Sequence, residues 1–249
     1  MSSLFCDFHI HSCLSPCADD EMTPANIAAM AMLNGLSAAA LTDHNTCKNC
    51  PPFFYHAEKF GIIPIAGMEL TTSEDVHIVC LFRSLSGALC FDEYVSSKRP
   101  NYKNNPDIFG HQYLMNDNDE IAGEEEHLLL NAADISIDEA FYSVKNYGGI
   151  CFPAHIDRQS NGIVAVLGEF PSQPAFTAFE LNDNTSETEY KTRFPLLSRL
   201  VKIVSSDAHR LENIKQADFS INIPLPGGSN QNSALNKANM IIDYISGLI

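Results

Sequence analysis

Short apolar runs recur along this chain, and several of them end on a histidine, an aspartate or a glutamate. Residues 4–10 read as a strand whose end carries Asp7-Phe8-His9-Ile10-His11. Side chains two apart on a strand point the same way, so His9 and His11 converge on one side of that end. Residues 36–42 are a buried strand by length and lead to Asp43-His44-Asn45. Ile62 to Ala66 is another and leads to Gly67-Met68-Glu69, while Leu70 and Val76 to Phe82 are extended pieces around a turn at Ser73-Glu74-Asp75. Ile150 to Pro153 runs into Ala154-His155, Phe176 to Leu181 is a strand, and Val201 to Ser205 runs into Ser206-Asp207-Ala208-His209. Residues 217–223 form a last short strand.

Helical patterns fill the intervals. Thr23-Pro24 offers a capping hydroxyl followed by proline, where a missing N–H costs nothing. Pro52 to Phe60 is a second helix, and Ser136-Ile-Asp-Glu139 is a capping box that opens one ending at Gly148-Gly149. Residues 187–200 are helical with a break near Pro195, and 232–248 form a closing helix. Alternating strands and helices predict a mostly parallel sheet, open or closed. With 249 residues and 45% hydrophobic content, one α/β barrel fits as a single domain over 1–249. Residues 84–134 break the rhythm and read as an insertion, partly helical near 124–132. Such a segment is either a lid over a site or a solvated surface excursion.

The formal net charge is −16, which repels phosphate backbones and disfavours a nucleic-acid partner. A small anionic substrate is still compatible where bound metal ions concentrate positive charge. No apolar stretch is long enough to span a bilayer, and no secretory signal is visible, so the expected location is the cytoplasm. Eight cysteines in that setting read as thiols. Cys13, Cys17, Cys47 and Cys50 form two close pairs that are either a four-sulfur metal site or ordinary loop and core residues.

The candidate ligands are His9, His11, Asp19, His44, Glu69, His77, His155, Asp207 and His209. Six of the nine histidines fall on or at the ends of predicted strands. One buried imidazole finds a partner easily, whereas six would need several partners in one place, so core filling is a poor account. In α/β barrels the loops after the strands gather at one face, which holds the active site. Nine ligands suit two or three divalent ions, and a central glutamate, here Glu69, is the natural bridge between close-set cations. Such ions lower the pKa of a bound water to make hydroxide near neutral pH, chemistry that suits phosphate-ester hydrolysis. Histidine and carboxylate mixtures accept zinc, manganese and iron alike.

His9-x-His11, Thr42-Asp43-His44, Gly67-Met68-Glu69, His77, Ala154-His155 and Ser206-Asp207-Ala208-His209 resemble, in order and context, the PHP (polymerase and histidinol phosphatase) superfamily. The resemblance implies a distorted, TIM-like seven-stranded β/α barrel and a trinuclear metal site. It implies that His9, His11, Glu69 and Asp207 hold one ion, that Glu69, His77 and His155 hold a second, and that Asp19, His44 and His209 hold the third. Asp19 stands five residues before Pro24, where many members carry Asp-Gly, but Asp20 replaces that glycine and is a rival ligand.

Asp43 reads as a residue that orients its neighbours. Arg158, three residues after His155, is the first candidate for gripping substrate phosphate, and Arg210 the second, against a bland role as surface arginines. His56, His111 and His127 read as exposed and without a metal role, while Asn45 and Asn182 are placed to reach the site. The expected function is hydrolysis of a small phosphomonoester, a metabolite or a nucleotide, with Glu69, Asp207 and Arg158 at its centre. The alternatives are an exonuclease-type phosphodiesterase, a metal-binding regulatory module without turnover, and a metallohydrolase acting on an amide or lactone.

Overall fold

The computed structural model describes residues 2–223 and 234–249. In chain order these give β1 (Ser2–Ile10), α1 (Pro24–Leu33), β2 (Ala38–Leu41), α2 (Cys50–Lys59), β3 (Ile63–Thr71), β4 (His77–Phe82) and α3 (Leu85–Lys98). Next come the short α4 (Pro106–Phe109), β5 (Tyr113–Met115), β6 (Ile121–Glu124), α5 (Ile137–Asn146) and β7 (Gly149–Pro153). The chain finishes with α6 (Ile163–Leu167), β8 (Ala178–Leu181), α7 (Glu187–Arg193), β9 (Val201–Val204), β10 (Ser220–Ile223) and α8 (Ala234–Ile245). Local chemistry sets several boundaries as expected. Thr23 caps α1 by accepting from the Asn26 amide, and Ser136 caps α5 by accepting from the Glu139 amide.

Six strands are hydrogen-bonded into one curled sheet in the order β10-β1-β2-β3-β4-β7, and β8–β9 is a separate parallel pair. Among the described residues the hydrogen-bonded ladders therefore do not form a closed ring of seven. Nor is the sheet mostly parallel: β1–β2 and β2–β3 are parallel, whereas β10–β1, β3–β4 and β4–β7 are antiparallel. The reason at β3–β4 is length, because the few residues from Thr72 to Val76 allow only a hairpin and no crossover.

All nine residues of β3 are buried, as a strand covered on both faces must be. One core lies between the sheet and the outer helices, with Ile27, Phe53, Phe91 and Phe141 in it. The other fills the concave side with Phe8, Ala38, Ile65, Leu81, Phe152 and Ile203, and Ala238, Ile241 and Ile245 of α8 pack into it. The sheet and the β8–β9 pair meet at one end, where the Ile156 amide bonds the Glu180 carbonyl and the His11 amide bonds the Ala208 carbonyl.

The stretch expected to be an insertion divides in two. Residues 85–98 are a regular helix whose Ala88, Phe91 and Val95 belong to the outer core, so the excursion begins after Lys98. It contains the β5–β6 hairpin and has no helix over 124–132. That segment is held extended by side chains: Gln112 donates to the Glu125 and His127 carbonyls and accepts from the Leu129 amide, and Lys48 pairs with Glu125. At Gly110 (φ 96°) a Cβ would come within 2.2 Å of the Pro16 carbonyl oxygen, so the excursion presses directly on the 12–22 loop.

Asn45 is its other anchor. Its side chain donates to the carbonyls of Leu129 and Asn131 and accepts from the Thr71 amide, from a backbone at φ 52° that asparagine tolerates better than most residues. Asn45→Ala strands three buried backbone groups and is expected to lower the unfolding free energy by about 2–4 kcal/mol in a denaturant titration, with faster proteolysis between residues 99 and 134. Unchanged stability would remove Asn45 as the anchor.

Candidate metal centre

The site forms where inward-facing positions reach the end of the curled sheet. On β3 the alternation Ile63, Ile65, Gly67, Glu69 carries Glu69 inward, while Ala66, Met68 and Leu70 pack outward. On β4 the inner Val79 and Leu81 put His77 on the same side. On β1 simple alternation fails, since Phe8 is in the inner core and Ile10 in the outer one. The β1–β2 register shifts between Asp7 and Ile10, three steps on β1 opposing two on β2. That extra residue is a bulge, and it turns His9 and His11 inward above Phe8. His155 and Asp207 stand at φ 25° and 51°, values rare for residues with a Cβ, at the turns that aim them into the cluster.

Glu69 is the hub and is 1% exposed. Its Oε1 lies 3.3 Å from His9 Nε2, 2.7 Å from His77 Nδ1 and 2.9 Å from His155 Nε2. Its Oε2 lies 3.3 Å from His11 Nε2 and 3.0 Å from His44 Nδ1. Asp207 adds a second carboxylate, with Oδ1 at 3.1 Å from His11 Nε2 and 3.5 Å from His9 Nε2.

Hydrogen bonds at the far side of each ring fix the tautomers. His9 Nδ1 is 2.9 Å from Glu180 Oε1, a group that only accepts, so Nδ1 carries the proton. His11 Nδ1 is 3.0 Å from Ser15 Oγ, which donates its own hydrogen to Asp43 at 2.7 Å and so accepts from the ring. In the neutral rings both Nε2 atoms then bear lone pairs, and they face each other at 3.1 Å beside two carboxylates. Lone pairs so placed repel unless a cation lies between them. Glu69 Oε2, Asp207 Oδ1 and His44 Nδ1 are likewise buried without a hydrogen-bond partner. The donor set fits a metal ion.

The electrostatics agree. Burial alone would depress the His9 and His11 pKa values, but the surrounding carboxylates outweigh it and hold His9 well above the usual imidazole range and His11 at about 9. His44 and His209 go the other way, to about 4 and about 3, through burial and then the charge of His11. Burial would raise Glu69, yet His77, His9 and His44 hold it well below the usual carboxylate range. The cluster behaves as a buried pool of negative charge that draws cations.

Three sets of ligand atoms lie close enough together to share an ion: His9, His11, Glu69 and Asp207; His44, Glu69 and His77; and His11, His44 and His209. The first is the set implied by the resemblance. In the second, His155 touches Glu69 and His44 joins from across the cluster. In the third, His11 takes the place given to Asp19. Asp19 is not brought into the cluster: its amide bonds the His209 carbonyl, but its carboxylate is 53% exposed and 3.6 Å from Arg210 Nε. Asp20 is exposed and enters none of these sets.

Asp43 supports the site as expected, accepting from the Ser12 amide and from the hydroxyls of Ser12 and Ser15. Asp7, fully buried, accepts from the amides of Ser206 and Lys215 and so holds the turn before Asp207. Glu180 was not legible in the sequence; the signal available was one acid at an inward position of an otherwise apolar strand, Ala178 to Leu181. Arg158 lies at the site, with Nη1 2.6 Å from Asp207 Oδ2 and its side chain 42% exposed.

Asn45 and Asn182 do not enter the cluster; Asn45 anchors the excursion and Asn182 donates to the Ser206 carbonyl. His111 and His127 are partly exposed and pair with Glu124 and Glu125, but His56 is buried on the inner face of α2 beside Phe53 and Ala57. The four-sulfur reading fails. Among the described residues no cysteine joins a ligand group: Cys17 is exposed, Cys13 points to the Tyr113 carbonyl, and Cys47 and Cys50 bond the Gly67 carbonyl.

Comparison with known proteins adds the following. The family model described as the PHP domain matches residues 7–163. An error-prone DNA polymerase from Symbiobacterium thermophilum is 38% identical over 77 residues, which cover 31% of this chain and 7% of the polymerase. The lesion-specific endonuclease PfuEndoQ from Pyrococcus furiosus superposes with a TM-score of 0.60 at 17% identity, over 100% of this chain and 57% of that one. A protein described as a metal-dependent phosphoesterase, from Bifidobacterium adolescentis, gives 0.58 at 16% identity, over 97% and 96% of the two chains. This chain thus spans little more than half of the endonuclease and a small part of the polymerase. An endonuclease Q of similar fold has been solved with a 27-mer duplex carrying an abasic lesion at its active site, so the expectation that a nucleic-acid partner is disfavoured is not supported. Among the described residues no helix is long and apolar enough to cross a membrane.

Glu69→Ala removes the carboxylate shared by two of the ligand groups. The variant is expected to lose at least two metal equivalents per chain by elemental analysis after dialysis against the metal. Full metal content would refute Glu69 as the hub.

Proposed function

This chain belongs to the PHP domain family, within a superfamily of metal-dependent phosphoesterases, and from that membership we propose that it is one barrel domain that hydrolyses a small phosphomonoester, a metabolite or a nucleotide. The observation that carries the reading is the Glu69-centred cluster, in which imidazole and carboxylate atoms converge while Glu69 Oε2, Asp207 Oδ1 and His44 Nδ1 stay buried without a hydrogen-bond partner.

The metal ions are two or three in number, and zinc, manganese and iron all suit the donors. His9, His11, Glu69 and Asp207 would hold one, His44, Glu69 and His77 with His155 a second, and His11, His44 and His209 a third. Bound there, divalent ions would acidify a nucleophilic water and supply positive charge to the phosphoryl oxygens. The chain's own residues do the rest. The two oxygens of Glu69 face different histidines, so one carboxylate keeps the ligand groups at a fixed spacing. Asp207 holds the inner face of the first group. The Arg158 guanidinium reaches from solvent to Asp207 and is placed to take two oxygens of a phosphate arriving above the cluster. Asp43, through Ser15, keeps His11 in its ligating tautomer.

The rim supports a monoester over a polymer. Arg158 and Arg210 follow His155 and His209, and Arg210 already faces Asp19, while Asp20 and Glu21 are exposed beside it. That leaves a phosphate group one arginine at the ligands, itself paired with Asp207, and among the described residues no basic track follows it along this rim for a phosphate backbone. The endonuclease neighbours favour a second reading, cleavage of a phosphodiester in nucleic acid.

Phosphate release across a panel of phosphomonoesters and nucleotides, with a single-stranded oligonucleotide and an abasic duplex alongside, separates the two. Each is run with manganese, with zinc and with chelator. Chelator-sensitive release from a small monoester is expected; cleavage confined to the oligonucleotides would overturn the monoester reading. Arg158→Ala is expected to raise KM for the best monoester about 10- to 100-fold, the loss of one charge-assisted contact, at unchanged metal content. An unchanged KM would remove Arg158 from the phosphate site.

A further inference from the structure

Glu180 is a buried acid that the reading above leaves without a role. It is 1% exposed and faces the concave side of the sheet, and its close charged contact is His9. Burying a carboxylate there is costly, and a leucine would fill an inner core lined by Phe8, Phe152 and Ile203 at no such cost. What the carboxylate does is specific. A single oxygen, Oε1, accepts from His9 Nδ1 at 2.9 Å and from the His155 amide at 3.0 Å, while Oε2 has no hydrogen-bond partner.

The two bonds act on different parts of the site. The first leaves His9 Nε2 as the free, lone-pair nitrogen and fixes the plane of the ring. The second holds the His155 backbone at φ 25°, a strained conformation for a residue with a Cβ. As a result the two rings stack with centroids 5.7 Å apart and planes 20° apart. Both Nε2 atoms then converge on Glu69 Oε1, at 3.3 Å and 2.9 Å. The His9 ring is bracketed between two carboxylate oxygens, Glu180 behind and Glu69 in front, while His155 meets Glu180 through its backbone amide and Glu69 through its ring.

We propose that Glu180 is a positioning residue whose single oxygen sets His9 and His155 together, and so fixes the geometry of two metal-ligand groups from one point. The inference rests on the metal-centre reading. It makes the place of the acceptor oxygen, and not the negative charge, the property that matters, so two conservative variants separate the possibilities. Glu180→Gln keeps an acceptor oxygen at the same reach and removes the charge. Glu180→Asp keeps the charge and withdraws the oxygen by one methylene.

The measurement is affinity of the metal-stripped proteins for Mn2+ and Zn2+, titrated against a competing chromogenic chelator, with stoichiometry from elemental analysis. Thermal melting of the metal-free forms, expected to match, serves as the control for folding. Glu180→Asp is expected to bind the tightest ion about 10- to 100-fold more weakly, the range found when a residue behind a ligating histidine is lost. Glu180→Gln is expected to stay within about three-fold of wild type, because its amide oxygen accepts the same two N–H bonds. Wild-type affinity in the aspartate variant overturns the proposal. So does a glutamine variant as weak as the aspartate one, which would make charge the operative property. Absence of tight binding in the wild-type protein would instead refute the metal centre itself, and this inference with it.

Discussion

Glu69 carries the constraint on which the rest of the site depends. Two carboxylate oxygens offer about four acceptor positions. Five imidazole nitrogens press on them within 3.3 Å, and in the neutral rings two of those nitrogens, on His9 and His11, have no proton to donate. Hydrogen bonding alone does not satisfy such a cluster; cations do. The strands that surround it must therefore hold like charges and facing lone pairs close together during folding, and the stability to do so comes from the two apolar cores beneath.

The way those residues are delivered follows from that load. Plain alternation suffices on β3 and β4, which lie in the middle of the sheet and are paired on both sides. Elsewhere it does not, even on β1, which is likewise paired on both sides. β1 needs a bulge, and β7 and β9 end in turns with positive φ at His155 and Asp207. These irregularities lie beside the gap in the ladders, where the His11 and Ile156 amides, just beyond β1 and β7, bond the Ala208 and Glu180 carbonyls. A buried carboxylate stands behind each of these two turns: Glu180 accepts from the amide of His155, and Asp7 from the amide of Ser206, the neighbour of Asp207.

Much of this was legible in the chain. Strand ends marked by His9, His44, Glu69, His155 and Asp207 define a single face once the alternation of strands and helices is granted, and the caps at Thr23 and Ser136 set helix starts to the residue. What stayed hidden depends on partners distant in sequence. Glu180 meets His9 across 171 residues, and an acid within an apolar strand gives no local sign of its partner. His56 reads as polar and is buried because it shares the inner face of α2 with Phe53 and Ala57. The acidic run at 124–126 suggests a solvated helix, yet Gln112 and Lys48 draw it into an extended path. Strand direction is a different case: apolar runs are alike in either direction, and the local sign of the antiparallel β3–β4 pair is the shortness of the turn between them.

The acidic composition takes on a different meaning once the acids are located. Asp7, Asp43, Glu69, Glu180 and Asp207 are all buried at or behind the cluster, and among the described residues one permanent cation, Arg158, makes a close ion pair with any of them. Part of the −16 formal charge is thus stored inside the site and not spread over the surface that a substrate first meets. A field from buried carboxylates is poorly screened by salt and attracts cations over a longer range than exposed acids do. Two divalent ions would offset four of those five charges and three would reverse the local sign, so that the site would come to attract an anion it otherwise repels. Net charge computed from sequence describes the metal-free chain, and for a protein whose acids form its metal centre it is a poor guide to the charge of the substrate.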